Sequence, residues 1–129
     1  MRELKFRVWN KKEKQFVDDC LIGLDGLMWW ESGYDHGYYY DPVEVMQYTG
    51  LKDKNDREIY EGDILCGQFT AFIRGMWEVY FDESLGAFKK LTIRPIPDHL
   101  ESKYPLDLLV GKAKVIGNIY ENPELLEKK

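Results

Sequence analysis

Residues 46–65 read MQYTGLKDKNDREIYEGDIL, and this stretch decides the fold. Two short runs rich in apolar and β-favouring residues flank a polar cluster with Asn55 at its tip. Asparagine tolerates the positive φ that tight hairpin turns require. The stretch then closes on Glu61-Gly62-Asp63, where glycine supplies a backbone conformation that other residues avoid. It predicts a β-hairpin, a second turn and a further strand.

Alternation of apolar and polar residues recurs outward from this stretch in both directions. Leu4, Phe6 and Val8 alternate with charged residues, which is the period of a strand with one wet face. Similar strand-like runs occupy residues 43–48, 69–81, 87–93 and 112–120. Many short strands with turn signals between them are typical of a barrel or a sandwich. The sequence therefore predicts a mainly all-β fold, a barrel-like or SH3-like sheet with long loops, in a single domain over residues 1–129.

Two long segments are predicted as loops. Residues 31–42 contain four tyrosines among glycines and a closing proline, and residues 94–108 contain three prolines. Proline cannot donate to a sheet ladder, so the second segment is predicted to form no regular strand, with one helical turn at residues 98–103. Near the C-terminus, Asn122 and the proline after it predict a short helix with Asn122 as its N-cap.

Composition excludes several classes of protein. A chain of 129 residues with 44% hydrophobic residues supports one globular core. The N-terminus lacks the apolar region of a signal peptide, and no run approaches the ~18 apolar residues of a membrane helix. Cys20 and Cys66 belong to no C-x-x-C pair, which fits reduced thiols and gives no zinc site. A cytoplasmic protein without membrane contact is predicted. The net charge of −5 disfavours bulk attraction to nucleic acid.

Three segments resemble the YopX family, small proteins encoded by phages and prophages. They are MQYTGLKDKNDREIYEGDIL at residues 46–65, VIGNIYENPELL at residues 115–126 and, more weakly, KFRVWNKKEKQFV at residues 5–17. Asn55-Asp56 departs from the asparagine-glycine pair usual in relatives, which implies a turn of another type or length. The resemblance implies a mostly β, barrel-like fold and a bacterial host cytoplasm. It implies no activity, and the variable tyrosine-rich loop at residues 31–42 lies outside these segments.

Glu61, Gly62 and Asp63 form the first candidate site. Two carboxylates near a tight turn can bind a cation or transfer protons. In the alternative interpretation, Asp63 accepts backbone N–H groups within the turn that Gly62 permits. The alternative is favoured, so the three residues are predicted to be a structural turn and only a weak candidate for binding.

Aromatic residues form a second candidate, a surface for contact with another molecule. Its members are Trp29, Trp30, Tyr34, Tyr38, Tyr39 and Tyr40. Such rings favour interfaces, whereas the competing interpretation is a long loop held onto the protein surface by its own rings. Stacking on nucleic-acid bases is disfavoured, because residues 15–51 contain no lysine or arginine.

A hairpin is predicted over residues 4–17, with a polar loop at residues 10–14, and its basic residues are the candidate contacts for nucleic acid. They are Arg7, Lys11, Lys12 and Lys14. The competing interpretation is a solvated face that blunts an edge strand. The mixed charges at residues 52–58 predict a solvated turn, and His36 and His99 are predicted to be surface residues.

Three functions stay open. The leading hypothesis is a phage- or prophage-encoded accessory protein, a non-catalytic binding or interaction module that acts as a homo-oligomer or with a host or phage protein. The second is a small nucleic-acid-binding β-barrel, which rests on fold analogy. The third is an enzyme such as a small nuclease. No catalytic, cofactor-binding or metal-binding residue is predicted.

Overall fold

The structure is a computed structural model that describes residues 3–17, 20–22, 28–32, 35–38 and 42–127. Strands dominate these residues, with two short α-helices and one 3-10 helix among them. The predicted fold class, mainly all-β, is confirmed. The chain divides into two compact units, a larger one of Met1–Lys5 and Gln47–Lys129 and a smaller one of Phe6–Met46. The prediction of a single domain stays a prediction.

The smaller unit consists of short antiparallel strands. These are β1 (Phe6–Asn10), β2 (Gln15–Val17), β3 (Cys20–Ile22), β4 (Met28–Ser32), β5 (Asp35–Tyr38) and the start of β6 (Val43–Lys52). Strands β2, β1 and β6 lie in that order in one sheet, and β3, β4 and β5 form another. The loop predicted over residues 31–42 is wrong for β5, because backbone pairing with β4 overrides the local turn signal of its glycine.

The larger unit is built on a four-stranded antiparallel sheet. Its strands are β8 (Asp63–Gln68), β9 (Arg74–Asp82), β10 (Ala87–Arg94) and β11 (Ala113–Asn118), in the order β10-β9-β8-β11. A separate strand, β7 (Glu58–Tyr60), pairs with the later part of β6 and so forms the hairpin predicted from residues 46–65. The strand predicted after the second turn is β8.

The core of the larger unit lies against one face of this sheet. Trp77 and Val79 alternate along β9 and are fully buried, together with Leu65 of β8 and Leu109. Gly75 lies directly beneath the Trp77 ring, where an added Cβ would collide with the indole. The glycine therefore makes room for a large aromatic side chain at the centre of the core.

The proline-rich segment at residues 94–108 is not a plain loop. It contains α1 (Asp98–Lys103), as predicted, and also α2 (Leu106–Leu109), which was not predicted. Prolines occupy the N-cap position directly before each helix, and two leucines of α2 are buried. Burial of this apolar pair against the core explains the second helix.

The predicted C-terminal helix is present as a 3-10 helix (Pro123–Leu126). Asn122 is the N-cap residue of this helix, as predicted, although its side chain makes no capping hydrogen bond. Its Oδ1 instead accepts from the Asn118 N–H, at 3.3 Å. Among the described residues, no helix has the length and apolar character needed to cross a membrane.

Candidate functional site

The acidic corner at Glu61-Gly62-Asp63 is held by backbone hydrogen bonds. Asp63 is buried, and its Oδ2 accepts from the Tyr60 N–H at 2.9 Å. Glu61 Oε1 accepts from the Gln47 N–H at 2.9 Å. These are the bonds that a turn-holding role requires. The structural role of the corner, like its weaker candidacy for binding, stays a prediction.

Gly62 occupies the conformation expected of it. Its φ is +87°, in the left-handed region that favours glycine. Its N–H donates to the Val79 carbonyl oxygen at 2.7 Å, and its own carbonyl oxygen accepts from the Ile119 N–H at 2.9 Å. The glycine thus joins the corner to two other segments of the larger unit.

Asp53 is a key residue that the sequence reasoning missed. The charges at residues 52–58 predicted a solvated turn, and that prediction is wrong for Asp53, which is only 6% exposed. Its Oδ1 accepts from the N–H groups of Asn55 and Arg57, at 2.8 and 2.9 Å. Its Oδ2 accepts from the Val115 N–H at 2.8 Å. An aspartate at the first position of a turn is a known signal, but its reach to Val115 has no sequence signal.

The electrostatics of Asp53 follow from these bonds. Burial acts to raise the pKa of its carboxyl, because a charged group loses water. Hydrogen bonds from the backbone of Val115, Arg57 and Asn55 outweigh burial and hold the pKa below its ordinary value. Asp53 is therefore an ionised group that serves the fold.

The turn that Asp53 starts is a three-residue hairpin loop. The Asp56 N–H donates to the Asp53 carbonyl oxygen at 3.0 Å, and Asp56 itself has a φ of +65°. A turn of this kind is followed by one left-handed residue, which is usually glycine. The expected departure from an asparagine-glycine turn is thus an aspartate strained into the glycine position.

Asp53 and its neighbour close one edge of the four-stranded sheet. The Val115 N–H on the outer side of β11 is taken by Asp53, and the Ala113 carbonyl oxygen accepts from the Lys54 N–H at 3.0 Å. Strand β11 therefore has partners on both sides, although it is the last strand of its sheet.

The opposite edge, β10, has no partner strand on its outer side among the residues that the structure describes. In the described part of the chain, residues 89–94 make no backbone-to-backbone hydrogen bond other than those with β9. The strand carries Lys89, Lys90 and Arg94 and contains no carboxylate. Its register shifts by a bulge between Thr92 and Arg94. Lysines and bulges are the devices that keep an exposed edge from pairing indiscriminately.

Two grooves flank β10. The first, here called the end groove, has a volume of about 440 Å³, and its lining includes Met76, Ile93, Arg94, Pro95 and Leu125. The second, here called the helix groove, has a volume of about 380 Å³ and lies between β10 and the helices α1 and α2, with Lys89, Lys90, Glu101 and Leu106 in its lining. Both volumes fall within the range of about 300–1,000 Å³ that is typical of ligand sites.

Glu101 builds the wall of the helix groove. Its carboxylate accepts from Lys90 Nζ at 2.7 Å and from Trp77 Nε1 at 3.1 Å. Burial acts to raise the pKa of the Glu101 carboxyl, but the bonds from Lys90 and Trp77 outweigh it and lower that pKa. The ion pair fixes α1 to the sheet, and no motif in the sequence pointed to it.

The basic candidates for nucleic-acid contact lie on the β1–β2 hairpin of the smaller unit. The Arg7 guanidinium lies over the Phe16 ring at 5.1 Å, and Lys11 Nζ pairs with Glu44 at 2.5 Å. Lys12 and Lys14 are exposed in the turn. Arg7 and Lys11 are therefore engaged within the protein, and the role of the four residues in nucleic-acid binding stays a prediction.

The aromatic candidates fall largely outside the description. Tyr34, Tyr39 and Tyr40 lie outside the described residues, while Trp29, Trp30 and Tyr38 lie in β4 and β5, whose backbone alone is described. Among the side chains that the structure describes, no three histidine, cysteine, aspartate or glutamate residues come together as metal ligands.

Comparison with known proteins gives a family and a solved structure. A family model described as YopX protein matches residues 5–127. The crystal structure of protein EF1440 from Enterococcus faecalis is similar to this chain, with a TM-score of 0.59 and 29% sequence identity. That likeness covers 98% of this chain and 100% of the other. No match is found among curated proteins. Because the family model covers nearly the whole chain, the resemblance found in the sequence is confirmed, and the chain belongs to the YopX family.

Proposed function

We propose that this protein is a non-catalytic binding module, a phage- or prophage-encoded accessory protein of the bacterial host cytoplasm. The observation that carries the proposal is the β10 side of the larger unit. There an open strand edge is flanked by two grooves, and residues of the same strand line both. An edge beside pockets is the arrangement by which many modules bind extended segments of other proteins.

The use of buried polar groups supports this proposal. Asp53 and Asp63 accept from backbone N–H groups, and Thr49 Oγ1 donates to the Ile59 carbonyl oxygen at 2.8 Å. Asn118 Oδ1 accepts from the N–H groups of Tyr120 and Glu121. These groups are bound to the backbone, as buried polar groups that serve a fold must be. The surface of the module is then where its function would lie.

Self-association through the tyrosine-rich segment is one form that the proposed function takes. The observation behind this proposal is the aromatic content of the chain, 15% of its residues, because tyrosine and tryptophan favour interfaces. Sedimentation at micromolar concentration should show an oligomer that the double variant Tyr38→Ser, Tyr40→Ser dissociates. A monomer that both forms share would remove this form of the proposal and leave binding to another protein.

Co-purification tests the proposal as a whole. The tagged full-length chain, recovered from lysogenic bacteria with and without nuclease, should retain a protein partner in both samples. The partner is then purified and mixed with the chain, and complex formation should be measurable below about 10 µM, or ~7 kcal/mol. Recovery of nucleic acid alone, lost on nuclease treatment, would contradict the proposal and favour the nucleic-acid hypothesis. Turnover of a substrate by the purified chain would also contradict it.

A further inference from the structure

We propose that the open edge of β10 binds an extended acidic segment of a partner protein, which adds to the sheet as a fifth strand. The inference rests on the proposed function, because it names the surface and the chemistry by which the module would bind. It also goes beyond that function, because it specifies the pattern of side chains that the partner must carry.

The two edges of the sheet differ in their free backbone groups. On β11, Asp53 and Lys54 take a donor and an acceptor of the outer side. On β10, the outward N–H and carbonyl groups of residues 89–94 have no backbone partner in the described part of the chain. An added strand about 4.8 Å away would pair with these groups directly. Hydrogen bonding therefore directs an incoming segment to β10.

One face of β10 displays two cations with an apolar residue between them. Lys89, Leu91 and Arg94 lie opposite Tyr80, Glu78 and Met76 of β9, which alternate along that strand and so share one face. Leu91 is 53% exposed. Lys89 Nζ forms a long ion pair with Asp82 at 3.9 Å. Arg94 forms no ion pair among the described residues, although Glu124 and Glu127 line the same groove.

This face selects the occupant. A second copy pairing its own β10 here would bring three cations against three, and like charges opposite each other destabilise a strand pair. A segment with an apolar residue and one carboxylate on each side of it matches Lys89, Leu91 and Arg94 instead. In strand geometry these partner residues are i, i+2 and i+4. The pattern reads the same in both chain directions, so it fits a parallel or an antiparallel strand.

The grooves accommodate the rest of the segment. Side chains at i+1 and i+3 point to the other face, which is the face of Lys90 and the helix groove. Lys90 is already paired with Glu101, so these positions require small or β-branched neutral residues and no further charge. At the Arg94 end, the end groove receives the apolar continuation of the segment on Ile93 and Pro95.

A synthetic peptide tests this directly. The probe is a fluorescein-labelled seven-residue peptide in which glutamate, leucine and glutamate alternate with threonine, titrated into the full-length protein by fluorescence anisotropy. The matched peptide has lysine in place of both glutamates. We expect the acidic peptide to bind at least about tenfold more tightly than the lysine peptide, because the lysines place like charges against the cations of β10. Equal binding of the two peptides, or no binding of either, would overturn the inference.

Backbone methylation distinguishes strand addition from simple charge attraction. N-methyl groups at alternate positions block one edge of the peptide and leave the other edge intact. Two peptides are compared, one methylated along each edge. We expect the peptide with the blocked pairing edge to bind about tenfold or more weakly, and the other to bind like the parent peptide. If both bind like the parent peptide, no strand is added and the inference fails.

Charge reversal locates the site on the protein. Lys89→Glu and Arg94→Glu should each weaken the acidic peptide, and Lys114→Glu on the closed edge strand β11 is the matched control that should leave binding unchanged. An equal loss in all three variants would place the effect in net charge and overturn the inference. A natural partner that survives both β10 variants would leave the proposed function standing while this inference fails. Self-association through β10 in the absence of peptide binding would name a second copy as the occupant and likewise overturn it.

Discussion

Both edge strands of the four-stranded sheet in the larger unit have outward N–H and carbonyl groups with no partner strand among the described residues. The two edges differ in what binds or protects these groups. On β11, a buried carboxylate and a neighbouring backbone N–H bind one donor and one acceptor of the outer side of the strand. On β10, the strand stays open and relies on lysines, arginine and a bulge. A closed edge adds stability and cannot bind, whereas an open edge gives up stability and keeps a place for a partner. If the proposed function holds, stability and binding belong to opposite edges of one sheet.

Removal of Asp53 should have the largest effect, because it reopens the closed edge. Asp53→Ala leaves three backbone N–H groups without their acceptor, and bonds to a charged acceptor are worth about 1.5–3 kcal/mol each. We expect the free energy of unfolding to fall by at least about 3 kcal/mol, measured by urea denaturation. The matched control, Glu83→Ala in an exposed turn, should change it by less than about 0.5 kcal/mol. An equal change in both variants would show that Asp53 does not close the edge.

Loss of Glu101 should have the next largest effect and acts on the open side of the sheet. Glu101→Gln removes the ion pair with Lys90, and we expect a loss of about 2 kcal/mol in unfolding free energy. Because the pKa of Glu101 is lowered in the folded protein, its stabilising contribution is present above the ordinary carboxyl pKa and is lost as the pH falls. The difference between wild type and variant, followed by denaturation from neutral to acidic pH, should therefore shrink. A difference that stays constant with pH would contradict the ion pair.

The strained turn at Asp56 should give a smaller effect of opposite sign. Asp56→Gly relieves a positive φ in the hairpin that closes the β11 edge, and we expect a gain of about 0.5 kcal/mol. Asp56→Ala, at the same position, should lose a similar amount, because alanine lacks the local hydrogen bonding that lets aspartate adopt this conformation. Thermal denaturation of the pair measures both. If both variants change stability in the same direction, the side-chain charge and not the backbone decides.

Glu78 should give the smallest effect. It lies on β9 opposite Leu91, and burial raises the pKa of its carboxyl. Since the folded pKa is raised, the charged form costs stability, and this cost appears as the pH rises through the carboxyl range. Glu78→Gln should raise the melting temperature slightly at neutral pH, and the gain should vanish in acid. A gain that persists in acid would assign the effect to packing.

Local features of the chain could be predicted from its sequence, because turns and alternation are local. The hairpin of residues 46–65, the conformation of Gly62 and the helical turn at residues 98–103 all follow from a few neighbouring residues. The order of strands in a sheet does not, since it depends on which distant segments pair. For this reason the open edge at β10 and the bond of the Asp53 carboxylate to Val115 could not be predicted from the sequence.

The same limit explains the remaining misses. Glu101 looks like one charge in a proline-rich loop until α1 brings it to Trp77 and Lys90. The second helix, α2, forms because its leucines meet a core that the local sequence does not describe. In each case a contact between distant residues overrides what the neighbouring residues indicate.

The reach of Asp53 to Val115 has a consequence for the order in which the chain folds during its synthesis. The two positions are separated by 62 residues, so the carboxylate can bind Asn55 and Arg57 early but can bind Val115 only after the ribosome has released the residues between them. Until then the nascent protein exposes its growing sheet to neighbouring polypeptides. We expect this edge of the sheet to close only after β11 has left the ribosome, and its protection against aggregation therefore depends on a segment made long after the Asp53 turn.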